Sequence, residues 1–149
     1  MVIETKWFVG FDDDLSDALK IREEAFGERL APQKSDEDSF VLVAYENGEP
    51  VATGRLYIKD GVCELGAIAV VKERRREGLG DFIVRVLTRR AFDAGFLTQS
   101  ARPCAKTLKL YQNIGFKIVE RYDDGGALMT REGDVGALDG CGSVKGVNI

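Results

Sequence analysis

Residues 62–83 read VCELGAIAVVKERRREGLGDFI, and this stretch decides the fold. Its first ten residues are almost wholly apolar, with Glu64 the single acid, which is the signature of a buried strand. From Leu79, apolar residues recur as Leu79, Phe82, Ile83, Val86 and Leu87, the spacing of an amphipathic helix. Between strand and helix lies Arg75-Arg76-Glu77-Gly78-Leu79-Gly80. Glycines at a helix start let the backbone take positive φ and approach a ligand closely. The unpaired N–H groups and the helix dipole make that start an anion site suited to phosphate or pyrophosphate. Arg74, Arg75 and Arg76 add positive charge around it.

Downstream, residues 96–101 form a short strand, so 62–101 is a strand–helix–strand unit with its two strands parallel. Upstream, two β-prone runs at 40–46 and 50–59 are joined by Asn47-Gly48, and the second meets residue 62 through Asp60-Gly61. Both dipeptides suit type I′ hairpins, so 40–71 is an antiparallel meander. Residues 6–11 read as a first strand. Asp12 to Asp14 supply N-terminal acids for a helix whose apolar face is Leu15, Ala18, Leu19, Ile21, Ala25 and Phe26, closed by Gly27. The polar run 28–39 reads equally as a loop or a short helix. A second helix spans 106–114, and strands at 116–122 and 127–131 flank a turn at 123–126. The expectation is one α/β domain over residues 1–131 with a mixed, mostly antiparallel sheet of six or seven strands and helices on both faces. The glycine-rich residues 132–149 read as a mobile tail.

Composition narrows the chemistry. With 149 residues, 44% hydrophobic and 31% charged, the chain has the make-up of one folded soluble domain. The apolar runs are far below the ~20 residues of a membrane helix, and the N-terminus has no signal-peptide pattern. There is no histidine, which excludes a Ser-His-Asp triad, a Cys-His pair and His-ligated metal or haem. Cys63, Cys104 and Cys141 are odd in number and widely spaced, which reads as reduced thiols in a cytoplasmic protein without a metal site. A net charge of −4 argues against nucleic-acid binding, and the acids Glu73 and Glu77 dilute the arginine run as a localisation or RNA patch.

The loop lacks the G-x-x-x-x-G-K-[ST] of a Walker site, and the third position of a G-x-G-x-x-G fingerprint falls on Ile83. It reads instead as R-x-x-G-x-G, from Arg75 to Gly80. With the strand before it, and with Leu110-Tyr111-x-x-x-Gly115-Phe116 after it, the chain from Val2 to Arg131 resembles the GNAT acetyltransferases, which bind acetyl-CoA. Ile21-Arg22-x-x-x-Phe26 and Thr53-Gly54-Arg55 are similar to a branch of small single-domain members.

The resemblance implies N-acetylation of a primary amine, on a small molecule or a protein, by direct attack in a ternary complex without metal. It implies acetyl-CoA contacts from Arg75, Arg76, Glu77, Gly78, Leu79, Gly80, Asp81 and Lys106. Backbone groups of Ile68, Ala69 and Val70 would pair with the pantetheine arm as an added strand, and the N–H near Ile68 would polarise the thioester carbonyl. An amine of pKa ~10.4 needs a base or a desolvating pocket. Glu64, eleven residues before Arg75 as in the family's histone-modifying branch, resembles that base; the alternative is a solvated strand-end acid. Tyr111 resembles the tyrosine that protonates the leaving thiolate, with a core aromatic as the alternative.

Asp81 stands where the family usually has a small, hydroxyl or basic residue, and Cys104 where it often has asparagine. Cys104 as an acyl-accepting nucleophile is a further reading. The acidic residues 35–38 would lie near the acceptor in this fold, and homodimers are common in the family. Two other classes compete with an enzyme. One is a non-catalytic acyl-CoA-binding module and the other is a phosphate-binding interaction domain.

Overall fold

The computed structural model describes residues 2–27 and 34–132. Of the tail expected over 132–149, Glu132 belongs to the last strand instead, and residues 133–149 lie outside the described residues, as do residues 28–33. Among the described residues seven strands build one sheet: β1 (Ile3–Val9), β2 (Ser39–Glu46), β3 (Glu49–Lys59), β4 (Val62–Val70), β5 (Thr98–Ala101), β6 (Lys117–Arg121) and β7 (Ala127–Glu132). Their order is β1-β2-β3-β4-β5-β7-β6, and only β4 and β5 run parallel. The helices are α1 (Ser16–Phe26), α2 (Leu79–Asp93) and α3 (Leu108–Gln112). The mixed sheet with helices on both faces is as expected.

Both hairpins form where the turn chemistry places them. Asn47 and Gly48 have φ of 51° and 81°, and Asp60 and Gly61 have 52° and 78°, the paired positive values of a type I′ turn. Strand β2 shows how the two layers are made. Val41, Val43 and Tyr45 pack with Leu15, just before α1, and with Ala18 and Ile21 of α1, while Leu42 and Ala44 join Ile83, Leu87 and Ala91 of α2 in the larger core. Successive residues of one strand thus bury opposite faces, which is why β2 reads as a continuous apolar run.

Several boundaries differ from the sequence expectation. The first strand spans Ile3–Val9 and not 6–11, because Gly10 turns the chain at φ +47° and a Cβ there would lie 2.5 Å from the Glu37 carbonyl oxygen. The three aspartates do not cap as a group. Asp13 accepts from the Val9 N–H at 2.7 Å, and Asp14 alone reaches the helix, accepting from Ser16 N–H at 2.9 Å. Phe26, placed on the apolar face, is half exposed. The helix expected over 106–114 is only Leu108–Gln112, since residues 104–107 form a turn closed by Thr107 N–H on the Cys104 carbonyl. The polar run contains a 3-10 helix at Lys34–Asp38.

Inside that turn, Asp36 is fully buried and accepts from both Nη atoms of Arg22, at 2.9 and 3.1 Å, with Arg55 Nη1 at 3.3 Å. This cluster ties α1, the 3-10 turn and β3 together. It also explains the two short motifs: Arg22 and Arg55 are partners of one carboxylate. Gly54 has a separate reason, since a Cβ there would lie 2.5 Å from Ile83 and 2.8 Å from Leu87, so only glycine lets α2 sit on the sheet.

Candidate active site

Two features meet around β4. The first is the loop into α2. After a 3-10 turn at Lys72–Arg74, Arg76 takes φ +67° and Gly78 takes φ +83° as the N-cap residue of α2. Left-handed positions in such a loop gather backbone N–H groups on one side, and the 15-residue helix behind them adds its positive end. A Cβ built on Gly78 would meet nothing within 4 Å, so the loop borders open space. Gly80 matters for packing instead. A Cβ there would press on Leu110 at 3.3 Å, so its bareness lets α2 approach α3.

The three arginines are not equivalent. Arg74 pairs with Glu46 and, at 3.3 Å, with Glu77. Arg75 Nε donates to the Val70 carbonyl at 3.2 Å, closing the end of β4. Arg76 is exposed. The unexpected acid of the loop, Asp81, accepts from Arg85 Nε at 2.6 Å one helical turn on.

The second feature is a split in the sheet. Strands β4 and β5 pair only through Glu64 with Ser100 and Leu65 with Ala101. From Gly66 to Val70 the β5-facing edge of β4 has no ladder partner among the described residues. On the other edge, the register with β3 shifts between Thr53–Ala69 and Arg55–Gly66, so Gly54 stands opposite both Ala67 and Ile68. This bulge holds Ala67 at φ +50°, a left-handed value that costs an alanine energy and re-aims the chain where the strands part.

Beside the bulge lies a cavity of about 500 Å³, lined by Asp38, Arg55, Tyr57, Lys59, Glu64 and Arg102, with Gly66 and Ala67 at its wall. Two ion pairs sit in it: Arg102 Nη1 to Glu64 Oε1 at 3.0 Å, and Lys59 Nζ to Asp38 Oδ2 at 3.1 Å. Glu64 is therefore neither buried nor merely solvated; it is 24% exposed and held by Arg102. Tyr111 of α3 is 2% exposed, edge-on to Phe116 with ring centroids 5.3 Å apart. Burial pushes its hydroxyl far above the usual tyrosine value; the negative charges of Cys104 and Glu64 act the same way, and Arg55 opposes them. The hydroxyl therefore keeps its proton throughout the neutral range.

Cys104 is exposed. Burial raises its thiol, but hydrogen bonds from Thr107 and from the Lys106 and Thr107 backbone outweigh that and leave it below the usual cysteine value. Lys106 is exposed on the turn before α3.

The structure thus brings Glu64, Ile68, Ala69, Val70 and the loop 75–81 onto one strand–loop–helix unit, with Tyr111 behind it. Sequence reasoning missed the cavity's cationic side. Arg55, Tyr57 and Lys59 alternate along β3 and so share a face, a period-two signal that follows directly from the Thr53-Gly54-Arg55 string. Arg102 gave no such signal, because it reaches Glu64 only through the β4–β5 pairing.

The profile of the acetyltransferase (GNAT) family matches residues 7–116. The chain is 29% identical over 118 residues to the uncharacterized N-acetyltransferase YjcF of Bacillus subtilis, covering 75% of this chain and 84% of that one. Its fold is that of an acyl-CoA N-acyltransferase from Pseudomonas aeruginosa, with a TM-score of 0.76 at 20% identity over 87% of this chain and 99% of that one. A GNAT acetyltransferase from Elizabethkingia anophelis, solved with acetyl-CoA bound, aligns with a TM-score of 0.69 at 18% identity over 87% and 97% of the two chains. A matching profile over most of the chain, on a sheet that splits beside a glycine-bearing helix start, leaves one assignment: this chain belongs to the GNAT family of acetyltransferases.

Proposed function

We propose that this chain acetylates a primary amine with acetyl-CoA as the donor. The observation that carries the reading is the parting of β4 from β5 after Leu65, directly before the loop whose Arg76 and Gly78 adopt left-handed backbone. An unpaired strand edge suits an amide-bearing arm, and a helix N-terminus suits a pyrophosphate. In this reading the loop 75–81 holds the pyrophosphate by backbone N–H groups, with Arg76 and Lys106 as outlying cations. Ile68, Ala69 and Val70 hold the arm. Bound there, acetyl-CoA supplies an acetyl group activated as a thioester.

The chain's own groups then have defined roles. Glu64 lies at the cavity wall and accepts a proton from the incoming ammonium, directly or through water. The Tyr111 hydroxyl, protonated because it is buried, donates toward the departing sulfur. A thiolate of pKa ~8.5 is a fair leaving group, so this donation assists the reaction and is not indispensable. Backbone N–H near Ile68 and the bulge polarises the carbonyl.

The deciding experiment is calorimetric titration of acetyl-CoA into the wild type and Gly78→Trp, whose indole would fill the open space beside the loop. Micromolar binding lost in the variant is expected. A folded wild type that does not bind acetyl-CoA overturns the reading. Glu64→Gln should then lower kcat and leave acetyl-CoA affinity unchanged, while Tyr111→Phe should lower kcat more modestly.

A further inference from the structure

The cavity beside the bulge has a charge pattern that selects among amines. Its acids are already matched to cations: Glu64 with Arg102 at 3.0 Å and Asp38 with Lys59 at 3.1 Å. Neither pair is locked away. The Arg102 side chain is 61% exposed and that of Lys59 49%, so both can turn from their present partners at small cost. Arg55, on the same face of β3, presents a further guanidinium at 15% exposure, steadied by Asp36 from below.

A cationic amine approaching Glu64 must displace Arg102 from the carboxylate. If the molecule carries only positive charge, it leaves Arg102 and Lys59 facing a second cation, which is unfavourable at such short range. If it also carries an anion, the displaced guanidinium gains a new partner. The exchange then turns one ion pair into two and leaves neither Glu64 nor Arg102 without a partner, and guanidinium forms its best bonds with carboxylate or phosphate.

We infer that the acceptor is an amine bearing an anionic group, carboxylate or phosphate, whose ammonium takes Glu64 while its anion takes Arg102 and Lys59. This rests on the transferase reading above. It excludes polyamines, which need a cavity of net negative charge, as preferred acceptors. Arg102 is a specificity residue here. It holds Glu64 before the amine arrives and the acceptor's anion afterwards.

The test compares acetyl transfer to matched amines in the wild type and in Arg102→Gln, after acetyl-CoA binding has been measured in both. The panel pairs free α-amino acids and dipeptides with their C-terminal amides, and adds aminoethyl phosphate and spermidine. The expected result is a kcat/KM for at least one anionic amine roughly tenfold or more above its amide and above spermidine, the worth of one charge-assisted hydrogen bond. The carboxylate and phosphate arms show which anion is used. Arg102→Gln should raise the KM for that amine roughly tenfold, lower the KM for its amide counterpart, which no longer has to displace a guanidinium from Glu64, and leave acetyl-CoA affinity unchanged. If no anionic amine exceeds its amide or spermidine while acetyl-CoA binds, the inference falls and the transferase reading stands. Failure of acetyl-CoA to bind removes both.

Discussion

Replacing Asp36 by asparagine tests how the cavity is held. Asp36 is 0% exposed and Arg22 1%, and they share two hydrogen bonds of 2.9 and 3.1 Å, with a third from Arg55 at 3.3 Å. Asparagine keeps the shape but removes the charge, so a buried guanidinium faces a neutral amide. Removing one partner of a buried pair costs about 3–5 kcal/mol. For a domain of this size each kcal/mol moves Tm by about 2–4 °C, so a loss of about 6–20 °C is expected. Asp38→Asn is the internal control. Its partner Lys59 is half exposed, and a surface pair contributes about 0–1 kcal/mol. Thermal unfolding followed by circular dichroism reads both variants under one buffer. Since Arg55 Nη1 also bonds Asp36, the first variant should raise the KM of the acceptor without changing acetyl-CoA affinity. Equal Tm values for the two variants, within about 2 °C, would refute the account of Asp36 as the tie between α1 and β3.

Gly54→Ala should destabilise by about 1–3 kcal/mol, since its Cβ would collide with Ile83, Ile68 and Leu87; a lower urea midpoint at unchanged m would show it. The two described cysteines should differ sharply toward alkylating reagents. Burial pushes the Cys63 thiol up to about 12, whereas Cys104 is exposed and lowered, so mass spectrometry after brief iodoacetamide treatment at neutral pH should find Cys104 modified and Cys63 intact. Alkaline pH should unfold the wild type more readily than Tyr111→Phe, once each is referred to its own stability at pH 8. The folded state holds the Tyr111 hydroxyl's pKa above its unfolded value, so its contribution is complete below about pH 10 and is lost as pH rises beyond it. Urea midpoints measured at intervals from neutral pH into that range would show the steeper decline in the wild type.

What could be read from the sequence was what is encoded within a few residues. Asn47-Gly48 and Asp60-Gly61 each supply two positions tolerant of positive φ, which forces a tight hairpin and, with it, the β2-β3-β4 meander. Leu79, Ile83 and Leu87 repeat at helical spacing, so α2 was legible together with its glycine start. The split of β4 from β5 was not legible from the strands themselves. Residues 66–70 look like a continuation of the strand through Glu64 and Leu65, and the bulge that holds Ala67 at positive φ where the strands part has no local sequence pattern to announce it. Asp36 was equally hidden. In the string Ser35-Asp36-Glu37-Asp38 it looks like one more solvated acid, and its two arginines lie 14 and 19 residues away on other elements.

Asp81 shows how a residue that departs from a pattern can still be consistent with it. An acid in the first turn of α2 favours the helix dipole but would repel a pyrophosphate at the same end. The structure resolves the conflict through Arg85, which is 5% exposed because that face of α2 packs inward, and whose charge therefore calls for a close acid. Asp81 answers it at 2.6 Å, in the favourable order with the acid one turn nearer the N-terminus. Its charge is thus directed along the helix and is largely balanced before it reaches the loop. The consequence is measurable. Asp81→Ala should lower stability by about 1.5–3 kcal/mol, the range for a hydrogen bond to a charged group, yet change acetyl-CoA affinity by less than roughly threefold, under 1 kcal/mol. A variant that binds acetyl-CoA tenfold more tightly would mean that the carboxylate faces the anion after all, and that Arg85 does not offset it.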